Sequence, residues 1–185
     1  MTKHIPLEQK YKTEIVKILT NELGVTNPMA LPKLAKIVVN MGTGEKLRTK
    51  DTREKLIADF SSITGQKPKV QAARISVAGF GLRAGMPVGL TATLRKDRMY
   101  NFFEKLTSVV LPRLRDFRGV SVKSFDKSGN YTLGLSEHTV FPEIDLAKVD
   151  RPHGLEMTFV VKNANRESSK LLLSLLGMPF QKEEN

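Results

Sequence analysis

The segment Val88-Gly89-Leu90-Thr91-Ala92-Thr93-Leu94-Arg95 alternates without interruption. In an extended chain Val88, Leu90, Ala92 and Leu94 point one way, and Gly89, Thr91, Thr93 and Arg95 the other. A strand that is apolar on one side and polar or small on the other belongs to a sheet covered on a single face. The pattern recurs along the chain. Lys36 to Met41 sets Ile37, Val39 and Met41 against Val38 and Asn40. Leu155 to Val161 turns Leu155, Met157, Phe159 and Val161 inward, with Glu156, Thr158 and Val160 outward. A turn at Lys127-Ser128-Gly129-Asn130 leads into a strand with Tyr131, Leu133 and Leu135 on one face, and Lys69 to Ala73 is a short strand.

Helical spacing fills the intervals. Leu7 to Leu23 carries Ile15, Ile18, Leu19 and Leu23 on one side and stops at Gly24. Asn27 to Pro32 is a proline-bounded loop. Asp51 and Glu54 give a capping-type start to a helix that ends at Thr64, before Gly65. Asp97 caps a helix running through Val110, with Phe102, Phe103, Leu106, Val109 and Val110 as its stripe, and Pro112 breaks it. Ser168 to Leu176 is a terminal helix closed by Gly177 and Pro179. No internal repeat and no separating linker intervenes. The pattern predicts one α+β domain over residues 1–180, with a mainly antiparallel sheet, helices packed on one face and the other face open. Residues 181–185 should be a frayed tail.

The open face would display Asn40, Lys69, Gln71, Thr91, Thr93 and Arg95. Short hydrogen-bonding side chains flanked by cations suit ribose hydroxyls, phosphates and base edges. The charge distribution points the same way. The 185 residues carry a net charge of +11, and residues 1–100 hold 18 basic against 8 acidic side chains, whereas residues 101–185 hold 12 against 11. Between Gly65 and Arg98 the cations Lys67, Lys69, Arg74, Arg83, Arg95, Lys96 and Arg98 face only Asp97. Such clustering is the footprint of a polyanion site, because neutralising phosphates releases condensed counterions. Within this stretch Ile75 to Pro87, with Gly79, Gly81 and Gly85, reads as a mobile loop.

Other chemistries find little support. Cysteine is absent, which removes disulfides and thiolate metal sites and suits a reducing compartment. The first residues lack the apolar core of a signal peptide, and no apolar run approaches the length of a bilayer span. The expectation is a soluble, cytoplasmic protein with no membrane partner. Tryptophan is absent and aromatics are 6%, so extensive base stacking is disfavoured. His4, His138 and His153 have no metal-ligand spacing, and neither metal nor cofactor is expected. Gly42-Thr43-Gly44-Glu45-Lys46 lacks the full phosphate-loop frame and reads as a tight strand-to-helix turn. Pro142-Glu143-Ile144-Asp145 offers acids without a nucleophile or an oxyanion device, which suits surface or subunit contact better than catalysis.

Eight blocks in order carry a family resemblance: KIVVNMGTGE (36–45), ITGQKPKV (63–70), AGFGLRAGMPVG (78–89), LRKDRMYNF (94–102), LPRLRDFRGV (111–120), SFDKSGNYTLG (124–134), FPEID (141–145) and LLGMPF (175–180). Over nearly its whole length the chain resembles large-subunit ribosomal protein five, the bacterial family that binds 5S ribosomal RNA. The resemblance implies an α+β domain without enzymatic activity, bound to 5S rRNA in the central protuberance among large-subunit rRNA and neighbouring ribosomal proteins. It implies 5S contacts at Asn40, Gln66 and Thr93, two of which alternation already places on the open face, with Lys67, Lys69, Gln71, Thr91 and Arg95 around them. It implies a loop at residues 74–87 facing peptidyl-site tRNA, with Arg74, Ser76, Gly79, Phe80, Arg83 and Gly85. It also implies a bridge to small-subunit ribosomal protein thirteen through Arg113, Arg115 and Arg118 and through Glu143 and Asp145, although Phe117, Phe141 and Ile144 in those segments suit packing. The family often reads F-K-L-R-E-G-M-P at the loop. Here Gly81 removes a cation and Ala84 an acid, leaving Arg83 as the phosphate contact. The other reading of the same face is a free-standing RNA-binding or RNA-chaperone module.

Overall fold

The computed structural model describes residues 5–44, 47, 49–115, 117–149 and 151–181; His4, Glu45, Lys46 and the tail 182–185 lie outside them. In chain order the elements are α1 (Leu7–Lys10), a π-helical turn (Tyr11–Ile15), α2 (Val16–Leu23), β1 (Lys33–Gly42), α3 (Lys50–Thr64), β2 (Lys69–Ala72), β3 (Pro87–Leu94), α4 (Lys96–Lys105), a second π turn (Leu106–Val110), β4 (Tyr131–Leu135), β5 (Leu155–Lys162) and α5 (Arg166–Leu175). The strands make one antiparallel sheet in the order β2-β3-β1-β5-β4. The fold is therefore α+β, as the alternation predicts. Contacts gather the described residues into two compact units, one from segments 1–37, 95–133 and 158–185, the other from 38–94 and 134–157.

In the second unit the apolar sides of the strands meet α3. Val39, Met41, Leu90 and Leu94 are fully buried, and so are Phe60 and Ile63 of α3. Val88, expected inward, is only half-buried. The β2–β3 register explains it: Gln71 pairs with Gly89 but Ala72 pairs with Pro87, so Val88 is the extra residue of a bulge and leaves the alternation. Gly89 suits a close approach, since a Cβ there would lie 3.1 Å from the Met41 carbonyl oxygen, a tight contact. β1 starts at Lys33, three residues before the expected edge, and buries Leu34.

In the first unit, α4 packs on β5 through an edge-to-face contact of Phe103 with Phe159, their ring centroids 5.5 Å apart. Along β5 as a whole, Leu155, Met157, Phe159 and Val161 are buried, as their alternation predicts. The expected helix stripes fail at Ile18 and Val109, both 40% exposed. Each follows or lies in a π turn. The wider turn favours a spacing of four over three, so Ile15 to Leu19 and Leu106 to Val110 stay on the buried side while Ile18 and Val109 rotate off it.

The caps also differ from expectation. Thr49 and Arg95 occupy the N-cap positions of α3 and α4 without side-chain caps, and Asp51 and Asp97 lie in the first turns, where a carboxylate favours the helix dipole. α5 starts two residues earlier than expected, because Asn165 and Ser168 form a reciprocal capping box. Gly129 is the glycine that the turn before β4 requires. Its φ is +78°, and a Cβ would lie 2.8 Å from the Asn165 carbonyl oxygen. Gln181, expected in the frayed tail, donates its N–H to the Val120 carbonyl at 3.0 Å, beside a parallel bridge between Val120 and Phe180.

Candidate nucleic-acid interface

The register of β2 against β3 decides which side chains share a face. Lys69 lies opposite Thr91 and Gln71 opposite Gly89, whereas Val70 lies opposite Leu90. Directly opposed residues of an antiparallel pair point to the same side. Lys69, Gln71 and Thr91 therefore occupy the outer face, with Thr93 two residues further along β3, while Val70 and Leu90 face α3. On β1, Asn40 sits half-buried between the buried Val39 and Met41, and so on the outer side. Its amide nitrogen donates to Glu156 Oε2 at 3.4 Å, a long contact at an exposed position. The Thr91 hydroxyl is committed differently: it donates to the Val39 carbonyl at 3.1 Å and ties the two strands. Its oxygen keeps acceptor capacity, but Thr91 is partly a structural residue.

Gln66 and Lys67 lie in the turn between α3 and β2. Gly65 takes the left-handed conformation that ends the helix. The Thr64 hydroxyl, buried, shares its proton between the carbonyls of Phe60 at 2.8 Å and Gln66 at 2.9 Å, which fixes the turn that presents Gln66. Lys67 and Lys69 are both exposed where the chain enters β2, on either side of the buried Pro68. Arg95, also exposed, is extended at the N-cap of α4 and belongs to the other compact unit. The structure thus brings Asn40, Lys69, Gln71, Thr91 and Thr93 onto one sheet face, with Gln66 and Lys67 at its entry; Arg95 directly follows β3 and is the extended N-cap residue of α4.

The segment expected as a mobile loop is a laddered hairpin. Ala73 donates to Met86 O at 2.8 Å, Gly85 to Ala73 O at 2.9 Å, and Val77 and Leu82 exchange backbone bonds at 2.9 and 3.1 Å. Ala84 N–H donates to the Ser76 hydroxyl at 2.9 Å. The β2–β3 pair simply continues outward, closed by a single 3₁₀ turn, Ala78–Phe80, and by Gly81 at φ +58°. Gly81, where the family often has lysine, suits a left-handed position that lysine adopts poorly. The tip carries Phe80, 78% exposed, and Arg74, Arg83 and Ser76 are exposed along the hairpin.

Arg113, Arg115 and Arg118 are exposed in one unit, and Glu143 and Asp145 belong to the other. Phe141 and Ile144 are buried, so packing accounts for the apolar half of that acidic segment, and Asp145 accepts from Ala147 N–H at 3.1 Å. Gly42-Thr43-Gly44 ends β1 as a turn in which Thr43 N–H donates to Val88 O at 3.3 Å.

Two histidines escaped the sequence reading because they touch only in the fold. His138 is 1% exposed, and its Nδ1 accepts from His153 N–H at 3.0 Å, which places its proton on Nε2. That Nε2 is buried without a hydrogen-bond partner among the described residues. Burial holds the imidazole below its ordinary value, with Asp59 acting weakly the other way. The unfolded chain therefore binds a proton at higher pH than the folded one does. Stability should be complete above about pH 6.5 and decline as pH falls from there toward the lowered folded value. Urea midpoints at about pH 7.5 and about pH 5.5, either side of the ordinary histidine range, test this: the parent should lose stability at the lower pH and His138→Asn should lose less. An equal loss in both would assign the pH dependence to other groups. Among the described residues no group of His, Asp or Glu is arranged to hold a metal ion, and no helix is long and apolar enough to cross a membrane.

Comparison with known proteins finds ribosomal relatives over nearly the whole chain. The family model described as ribosomal protein L5 matches residues 27–83, and a second model, for the C-terminus of the same ribosomal family, matches residues 87–180. The large ribosomal subunit protein uL5 of Thermobifida fusca is 50% identical over 177 residues, covering 96% of this chain and 93% of that protein. The uL5 proteins of Dictyoglomus turgidum and Desulfatibacillum aliphaticivorans are 51% and 48% identical over 176 residues, covering 95% of this chain and 98% of each relative.

Proposed function

The chain belongs to the ribosomal protein L5 family, and from that premise we propose that it binds 5S rRNA through the outer face of its sheet. Membership makes it a structural, non-enzymatic constituent of the large subunit in the cytoplasmic ribosome. The observation that carries the finer reading is the shared face of Lys69, Gln71 and Thr91, with Asn40 and Thr93 on the same side of the neighbouring strand positions. Lys69 supplies charge to phosphates, and the amides and Thr93 supply directional hydrogen bonds. Gln66 and Lys67 extend the contact from the preceding turn. The hairpin of residues 74–87 projects beyond the sheet to peptidyl-site tRNA, with Arg83 on phosphate and Phe80 at the tip. Arg113, Arg115, Arg118, Glu143 and Asp145 serve contact with small-subunit ribosomal protein thirteen. Residues 1–180 act as one domain in this reading.

The two RNA roles should separate. Replacing residues 76–85 by a short Gly/Ser linker removes the hairpin tip but none of the outer-face residues. A 5S transcript should bind the variant as it binds the parent, in preference to an unrelated RNA of equal length. Ribosomes carrying the variant should release peptidyl-site tRNA a few-fold faster. Lost 5S affinity with unchanged tRNA release would transfer the hairpin to the 5S site.

A further inference from the structure

A groove of about 740 Å³ opens beside the start of α4, lined by Lys33, Lys36, Arg95, Lys96 and Lys162 around a floor that includes Leu34, Met99 and Tyr100. All of these belong to one compact unit. None of the five cations is paired with a carboxylate among the described residues. The lining also holds two acids, Glu8 and Asp97. Glu8 pairs with Lys12, one turn along its helix, and also lies against Asp97. The Tyr100 hydroxyl is pushed up to about 12 by burial, reinforced by Tyr11 and Glu8, so the floor stays neutral at physiological pH. Five cations converge on one hollow against these two acids, a positive surplus whose mutual repulsion an entering anion relieves.

Lys96 adds a second sign of specific use. Its φ is +52°, a left-handed conformation uncommon for lysine and close to that of a glycine turn. The turn from β3 into α4 could be made by glycine without strain. Keeping lysine there directs a cation to the rim at the N-terminal end of α4, a ten-residue helix without a side-chain cap at Arg95.

We propose that this groove is a phosphate-binding site for the RNA backbone, additional to the outer-face contacts, with Lys36, Lys96 and Lys162 clamping the phosphates. It rests on the reading of the protein as an rRNA binder, and of the five cations the charge clustering of the sequence picks out only Arg95 and Lys96.

The test uses the full-length protein, a 5S rRNA transcript and a large-subunit rRNA transcript, titrated across salt concentrations. Each phosphate contact contributes about 0.7–0.9 to the slope of log K against log salt. A Lys36→Gln, Lys96→Gly, Lys162→Gln triple variant should lower that slope by about 2 and weaken binding at least tenfold at moderate salt. Lys96→Gly alone should weaken binding without lowering the melting temperature, because glycine suits the left-handed turn. A loss confined to the large-subunit transcript supports the groove and assigns its phosphates to that RNA. Unchanged affinity and slope for both RNAs, while Asn40→Ala still weakens 5S binding, overturns the groove and leaves the outer-face reading standing. If Asn40→Ala is also without effect, the outer-face reading falls with it.

Discussion

Asn40→Ala should bind 5S rRNA on the order of 10- to 100-fold more weakly than the parent, a loss on the order of 1–3 kcal/mol, and melt at nearly the same temperature. Asn40 is half-buried on the outer face, and its side chain makes a long contact with Glu156 at 3.4 Å. Removing it takes little from the folded protein. In a complex, however, the RNA group it served would be desolvated and unpaired, which is the costlier situation. Thr93→Ala should behave alike. Thr91→Ala should not: its hydroxyl holds the Val39 carbonyl, so stability and binding should fall together. The comparison pairs thermal melts with RNA titrations, and Asn40→Ala binding like the parent would remove Asn40 from the site.

The largest expected effect on stability is at Phe159. This side chain is fully buried, edge-to-face with Phe103 and with its centroid 6.2 Å from that of Tyr131. Phe159→Ala should cost about 3–5 kcal/mol, combining lost transfer energy with an unfilled cavity. RNA binding should then fall only by the fraction of protein that is unfolded, and should recover in full under conditions that restore the fold. A cost below about 1 kcal/mol in urea unfolding would mean that the site collapses freely and is not the packed centre of its unit.

How far the sequence could be read depended on whether a feature was local. Strand faces were legible because period-two alternation is a property of consecutive residues: Ile37, Val39 and Met41, and Leu155 to Val161, are buried on the side they predict. Asn40, Lys69, Gln71, Thr91 and Thr93 could be placed on the outer face for the same reason. Val88 could not, since a bulge is set by the partner strand. Ile18 and Val109 were misplaced because nothing in the 3.6-residue pattern announces a π turn. The 74–87 segment looked like a free loop on its glycines, yet its backbone ladder needs only alignment with the strands that flank it, and Gly81 and Gly85 take positive φ within it. His138 and His153 lie fifteen residues apart and meet only through the fold, as do the five cations of the groove at α4.

The central claim is that this chain is a dedicated 5S rRNA protein that reads its RNA with the outer face of the sheet. Sequencing of RNA crosslinked to the protein in cells tests it most directly. The account predicts that 5S rRNA dominates the recovered RNA from the parent and is depleted for Asn40→Ala and Thr93→Ala at unchanged protein level. A broad mixture of RNAs without 5S enrichment would contradict it and favour a free-standing RNA chaperone.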